Sequence, residues 1–224
     1  MERPINFFTP DQNGYFSAVT FWFVARILKT SDGERWLEPA TTVASGDDDK
    51  GIILYTSRLD ALVDCNILNR EGAAIWQVYS FGDLDVKRIV QDRPVLTFMV
   101  TFGYAADERY RLIQTDCVYR HQYFPVTFDL RNRELRVLDF EKGLFEDINR
   151  YWLPHFSSYC KSMLTQNELP ADELQQYAEA AIACAEVTCI PVRPAHEVKM
   201  IMTYSPTHND WLVAISEPRP LVKH

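Results

Sequence analysis

Eight consecutive residues, 95–102 (VLTFMVTF), set the tightest constraint on the fold, because they place apolar side chains on both faces of any strand they form. Such a strand must be covered on both sides, so it belongs in the middle of a sheet. Several other segments read as its neighbours. Residues 18–30 alternate, with Phe21, Phe23, Ala25 and Ile27 on one face and Thr20, Trp22, Val24 and Arg26 on the other. Ser31-Asp32-Gly33 supplies the Asp-Gly signal of a hairpin. The returning strand, 35–44, carries Pro39, which suggests a bulge or an edge position.

Residues 51–68 (GIILYTSRLDALVDCNIL) change period partway through. A short apolar strand at 52–55 gives way to a helix whose N-cap is signalled by Thr56-Ser57, with Asp60 three residues on as a near-match to a capping box. Leu59, Leu62, Val63 and Ile67 put one face of that helix inward, and 69–72 end it. Just upstream, Asp47-Asp48-Asp49 is the densest charge run in the chain, so a rigid strand-to-helix corner carries a negative loop.

Further strands are expected at 74–81 and 109–119, with 103–108 as the hairpin link from the central run. Residues 123–130 and 134–140 flank Arg131-Asn132-Arg133 as another hairpin, which makes the middle of the chain a β-meander. Residues 82–90 read as one or two helical turns.

From Lys142 the period becomes helical. Leu144, Phe145, Ile148, Tyr151 and Trp152 share a stripe, as do Phe156, Tyr159, Cys160 and Met163 beyond Pro154, which should kink or split the helix. Pro170 opens a further helix with the stripe Leu174, Tyr177, Ala178, Ala181, Ile182 and Ala185. On its far side Asp172, Glu179 and Glu186 recur seven residues apart as an acidic solvent face. Strands at 189–192, 197–204 and 211–216 close the chain. The fold class is therefore α+β: a mainly antiparallel sheet with a capped helix near 57–68 and a helical segment near 143–187 packed on it. Residues 1–224 read as a single domain, and a division, if present, falls near residue 141 between a β-rich and a helical part.

The chemistry-bearing residue types form no motif. His121, His155, His196 and His208 are scattered, and Cys184 and Cys189 straddle a helix end without a second pair, so no metal site is expected. There is no G-x-S-x-G elbow, and the eight glycines include no G-x-G, which removes the usual nucleotide loops. The three consecutive acids Asp47, Asp48 and Asp49 lack the alternating ligand spacing of a calcium loop. No catalytic residue, cofactor or metal is assigned. Most of the 13 Phe, 11 Tyr and 5 Trp fall on inward faces, while Tyr104, Tyr119, Tyr123 and Trp211 lie near strand ends where they could anchor an interface.

A net charge of −8 argues against nucleic acid or an anionic membrane as partner and favours a basic protein. Five cysteines with no C-x-x-C pair, no basic-then-apolar leader at the N-terminus, and a longest apolar run (18–28) too short to span a bilayer give a cytoplasmic expectation.

A protein that works by binding another protein fits these features together. In size, acidic balance, α+β pattern and lack of an enzyme signature, the chain resembles a bacterial immunity protein, the antidote encoded beside a toxin of a polymorphic or type VI secretion system. No residue roles carry over from that resemblance. It implies a non-enzymatic antidote that occludes the active site of a cognate protein toxin with a basic cleft. The candidate contacts are Asp47, Asp48 and Asp49, then Asp172, Glu179 and Glu186. Two other classes stand beside it: a hydrolase-like enzyme using two acids and a histidine, marked by converging carboxylates in a pocket, and a secretion adaptor or chaperone, marked by an exposed hydrophobic groove.

Overall fold

The computed structural model describes residues 5–8, 14–29, 31–43, 50–72, 74–90, 95–115, 118–129, 137–190, 198 and 200–215. The first half contains strands β1 (Ile5–Phe8), β2 (Gly14–Ser17), β3 (Trp22–Lys29), β4 (Arg35–Pro39), β5 (Thr41–Val43), β6 (Lys50–Tyr55) and β7 (Trp76–Ser80). It also holds helices α1 (Arg58–Glu71) and α2 (Val86–Val90). Then follow β8 (Val95–Ala106), β9 (Leu112–Thr115), β10 (Val118–Tyr119), β11 (His121–Asp129) and β12 (Val137–Asp139). Helices α3 (Lys142–Trp152), α4 (Tyr159–Asn167) and α5 (Ala171–Cys184) come next, before β13 (Val187–Cys189), β14 (Met200–Ser205) and β15 (Asp210–Ile215).

The doubly apolar run is the middle of the larger sheet, as its composition demands. β8 pairs with β6 in parallel along Phe98–Thr101, with β14 along Tyr104–Ala106, and with β11 along almost its whole length. The α+β class and the mostly antiparallel sheet expected from the sequence are both present: twelve strands share this sheet, and β6–β8 and β13–β9 are its parallel pairs. The β3–β4 hairpin turns at Gly33, whose φ of +87° suits a residue without Cβ. At Pro39 the returning strand breaks: β4 pairs with β3, and after Ala40 the chain moves to β6 as β5. Proline cannot donate to a ladder, and the switch of partner falls where that donor is missing.

Two expectations are corrected. The 134–140 segment does not return along β11. Its described part, β12, pairs in parallel with β2 in a separate three-stranded sheet, while Arg131-Asn132-Arg133 lie outside the described residues. The hairpin from β8 to β9 is present, but its turn occupies 107–111 rather than 103–108, because β8 continues to Ala106.

Gly103 decides how β8 uses its two faces. Between the pairs Thr101↔Tyr123 and Tyr104↔His121, β8 advances three residues while β11 advances two, so β8 carries one extra residue. Gly103 sits there at φ +150°, where an added Cβ would lie 2.5 Å from Ile201 Cγ2, 3.0 Å from Met202 O and 3.1 Å from Trp152 Cζ2. The extra residue inverts the alternation. Phe98, Val100 and Phe102 join a cluster with Phe145, Ile148 and Trp152 of α3 and Tyr159 and Met163 of α4. Tyr104 and Ala106 instead join a cluster with Leu59, Val63 and Ile67 of α1 and Leu174, Ala178 and Ala181 of α5. A smaller cluster (Val24, Tyr55, Ala61, Cys65) packs the other side of α1. Helix α1 is thus buried on more than the single face its apolar spacing predicts, whereas α3 and α5 follow their stripes and Pro154 separates α3 from α4.

Candidate functional site

Helix α1 starts where β6 ends, and its N-terminus is closed by the chain itself. Asp60 N donates to Ser57 Oγ at 3.2 Å, the first half of a capping box; the Asp60 carboxyl turns inward and does not return to Ser57. The end of α4 supplies the other partners. Ser57 Oγ donates to Gln166 Oε1 at 2.8 Å, Arg58 N to Asn167 Oδ1 at 2.7 Å, and Asn167 Nδ2 to Thr56 O at 3.3 Å. Backbone donors at a helix start are ready-made for an anion; here side-chain amides of α4 take that position. Thr56 Oγ1 also donates to Thr101 O at 3.1 Å and lies 3.1 Å from the Tyr159 hydroxyl.

One turn further along, Asp60 and Asp64 share a face of α1 and meet His121 from β11. His121 Nε2 donates to Asp64 Oδ2 at 2.5 Å, and the Tyr55 hydroxyl donates to the same oxygen at 2.6 Å. Tyr104, brought round by the bulge, donates from its hydroxyl to Asp60 O at 2.9 Å, and its ring lies tilted against that of His121 with centroids 4.7 Å apart. Asp60 is 3 % exposed, and its Oδ1, like Asp64 Oδ1, has no hydrogen-bond partner among the described residues.

Burial, reinforced by the Asp64 charge and opposed by His121, raises the Asp60 pKa to about 7. Burial works to lower the His121 pKa, but the charge and hydrogen bond of Asp64, together with Asp60, carry it above its ordinary value. Tyr55 and Tyr104 are pushed up, first by burial and then by Asp64.

Two carboxyls and a histidine have thus converged, yet α1, β6, β8 and α4 enclose them, and Asp64 is occupied by His121 and Tyr55. No group of three His, Cys, Asp or Glu side chains among the described residues is arranged to hold a metal ion. In the sequence Asp60 stands out only as a capping residue and His121 only as one of four scattered histidines, and Asp64 not at all. His121 is 57 residues from Asp64, and nothing local announces that contact.

Three of the six predicted contacts lie on the described outer surface. Asp172 and Glu179 are exposed on α5, and Glu179 Oε1 accepts from Gln175 Nε2 at 2.8 Å. Glu186 is also exposed but lies beyond the helix, which ends at Cys184; its carbonyl accepts from Leu112 N at 2.7 Å. Asp47, Asp48 and Asp49 lie outside the described residues. Of the aromatics expected near strand ends, Tyr104, Tyr119 and Trp211 are buried and Tyr123 is half-buried, because the second cluster needs their area.

Among the described residues the aromatic that projects is Tyr110, 56 % exposed in the turn between β8 and β9 and held at φ +61°. Asp107 builds that turn. Its Oδ1 accepts from Arg109 N (2.9 Å) and Arg111 N (3.0 Å), and its Oδ2 accepts from Arg111 Nε (2.9 Å) and Nη2 (2.6 Å). Tyr110 rims an open notch of about 500 Å³, whose walls include Trp211, Cys184, Glu186, Asp210 and Arg109. The sequence pattern places Tyr110 in a strand at 109–119; that strand begins only at Leu112, which leaves Tyr110 in the turn.

Compared with protein-family models, curated proteins and solved structures, the chain matches none of them.

Proposed function

We propose that this chain is a non-enzymatic protein-binding antidote, an immunity protein of a polymorphic or type VI secretion toxin system that occludes the basic active-site cleft of a cognate toxin. The observation that carries this reading is the exposed acidic row on α5 and beyond it, Asp172, Glu179 and Glu186, on a chain of net charge −8. An acidic surface steers a basic partner into encounter and raises the association rate at low salt. The test uses the toxin encoded beside this chain's gene. Co-expression should protect cells from it, and the triple variant Asp172→Lys, Glu179→Lys, Glu186→Lys should associate on the order of tenfold more slowly at low ionic strength, with a flatter salt dependence. Unchanged rates would remove the row from the interface, and lack of protection would remove the antidote reading.

A second reading, a hydrolase-like enzyme using two acids and a histidine, is favoured by the convergence of Asp60, Asp64 and His121. Their enclosure ranks it second, since a reacting substrate must touch them. An Asp60→Asn variant that folds as the parent and still protects cells would dismiss it.

A further inference from the structure

We infer that the notch beneath Tyr110 is the anchor point of this interface, taking one Lys or Arg side chain of the protein partner. The aliphatic stem would lie on Tyr110 and Trp211, and the cationic head on Glu186 and Asp210. This inference rests on the protein-binding reading above and narrows it from a face to a site.

Three observations meet there. The first is the Tyr110 backbone. Left-handed φ costs a residue with Cβ roughly 1–2 kcal/mol, and an aromatic has none of the local hydrogen bonding that lets Asn or Asp sit there. Four donors on the Asp107 carboxylate over-determine the turn, yet the ring it projects is mostly in solvent and recovers little of that cost by burial. Strain kept for an exposed side chain points to a use for that side chain. The second is shape. At about 500 Å³ the notch falls among pockets that accept a small ligand or a single side chain. The third is charge. Glu186 and Asp210 outnumber Arg109 among the formally charged walls, so the notch favours a cation. Lys and Arg bury an apolar stem while keeping the head at polar groups, and both bind aromatic faces. Tyr and Trp, with Arg, are the residues in which binding energy concentrates in protein interfaces.

The experiment titrates the full chain with acetyl-Gly-Arg-Gly-amide and acetyl-Gly-Lys-Gly-amide, with acetyl-Gly-Gln-Gly-amide as the neutral control, following amide and indole resonances by NMR. The cationic peptides should shift Tyr110, Glu186 and the Trp211 indole saturably, and the neutral one should not. Tyr110→Ala and the pair Glu186→Gln, Asp210→Asn should each weaken binding about three- to fivefold. Glu168→Gln, on the exposed end of α4, should leave it unchanged. Tyr110→Gly separates ring from fold, because glycine accepts the left-handed backbone: it should melt at or above the parent temperature while losing the peptide. Equal response to the neutral peptide, shifts spread over the acidic surface, or full binding by Tyr110→Gly would each overturn the proposal. Cell protection that survives the loss of peptide binding would remove the notch and keep the antidote. Peptide binding without protection would do the reverse.

Discussion

Asp60 and His121 make stability depend on pH in a direction opposite to most carboxylates. A group whose folded pKa lies above its unfolded value holds its proton more tightly in the native state, so stability falls as pH rises between the two values. Asp60 goes from an ordinary 3.8 to about 7, and His121 is raised above 6.5, so both contributions decline as pH rises toward and through neutrality. Between about pH 5.5 and 8 the Asp60 part alone amounts to roughly 2 kcal/mol, or about 4–8 °C in melting temperature for a chain of this size. Thermal melts should show that fall, and Asp60→Asn should flatten it; a melting temperature that is level or rising over this range would contradict the assignment. Of these residues, Asp60 stands out in the sequence only as a helix cap and Asp64 not at all. The pKa shift comes from enclosure and from a histidine on a distant strand, and neither leaves a local pattern.

Among elements, the β8 bulge and the α4 plug carry the most weight. Gly103→Ala would strain the left-handed backbone and press a methyl against Ile201 and Trp152, where space is already short. A loss of about 2 kcal/mol or more is expected in chemical denaturation, and a neutral effect would mean that the two faces of β8 are not set at Gly103. Asn167→Ala should cost about 1 kcal/mol, since it removes an acceptor from the α1 N-terminus and the donor to Thr56 O. Helix starts and stripes, the Asp-Gly hairpin and the Pro154 break were readable because each rests on a local signal. The bulge was not, although Gly103 stands in the sequence: one glycine in an apolar run does not say which face its neighbours will take.

At the scale of the whole molecule, α1 and α5 cover one face of the sheet around β8 and α3 with α4 the other, and no helix among the described residues is long and apolar enough to cross a membrane. The acidic row runs from Asp172 in the first turn of α5 to Glu186 beyond its end, and only there does it reach the Tyr110 notch, beside the Leu112–Glu186 hydrogen bond. If both belong to one interface, the loss on combining Asp172→Lys and Glu179→Lys with Tyr110→Ala should depart from the sum of the separate losses; an additive loss would assign them to independent contacts. Composition and period sufficed for the α+β class, the central place of β8 and the limits of most helices, because burial of apolar faces and backbone capping act over a few residues. They could not pair β12 with β2, bring His121 to Asp64 or turn Tyr110 outward. Those outcomes depend on which distant segments compete for the same hydrogen-bonding edge and the same buried area, and that competition is settled only when the whole chain packs.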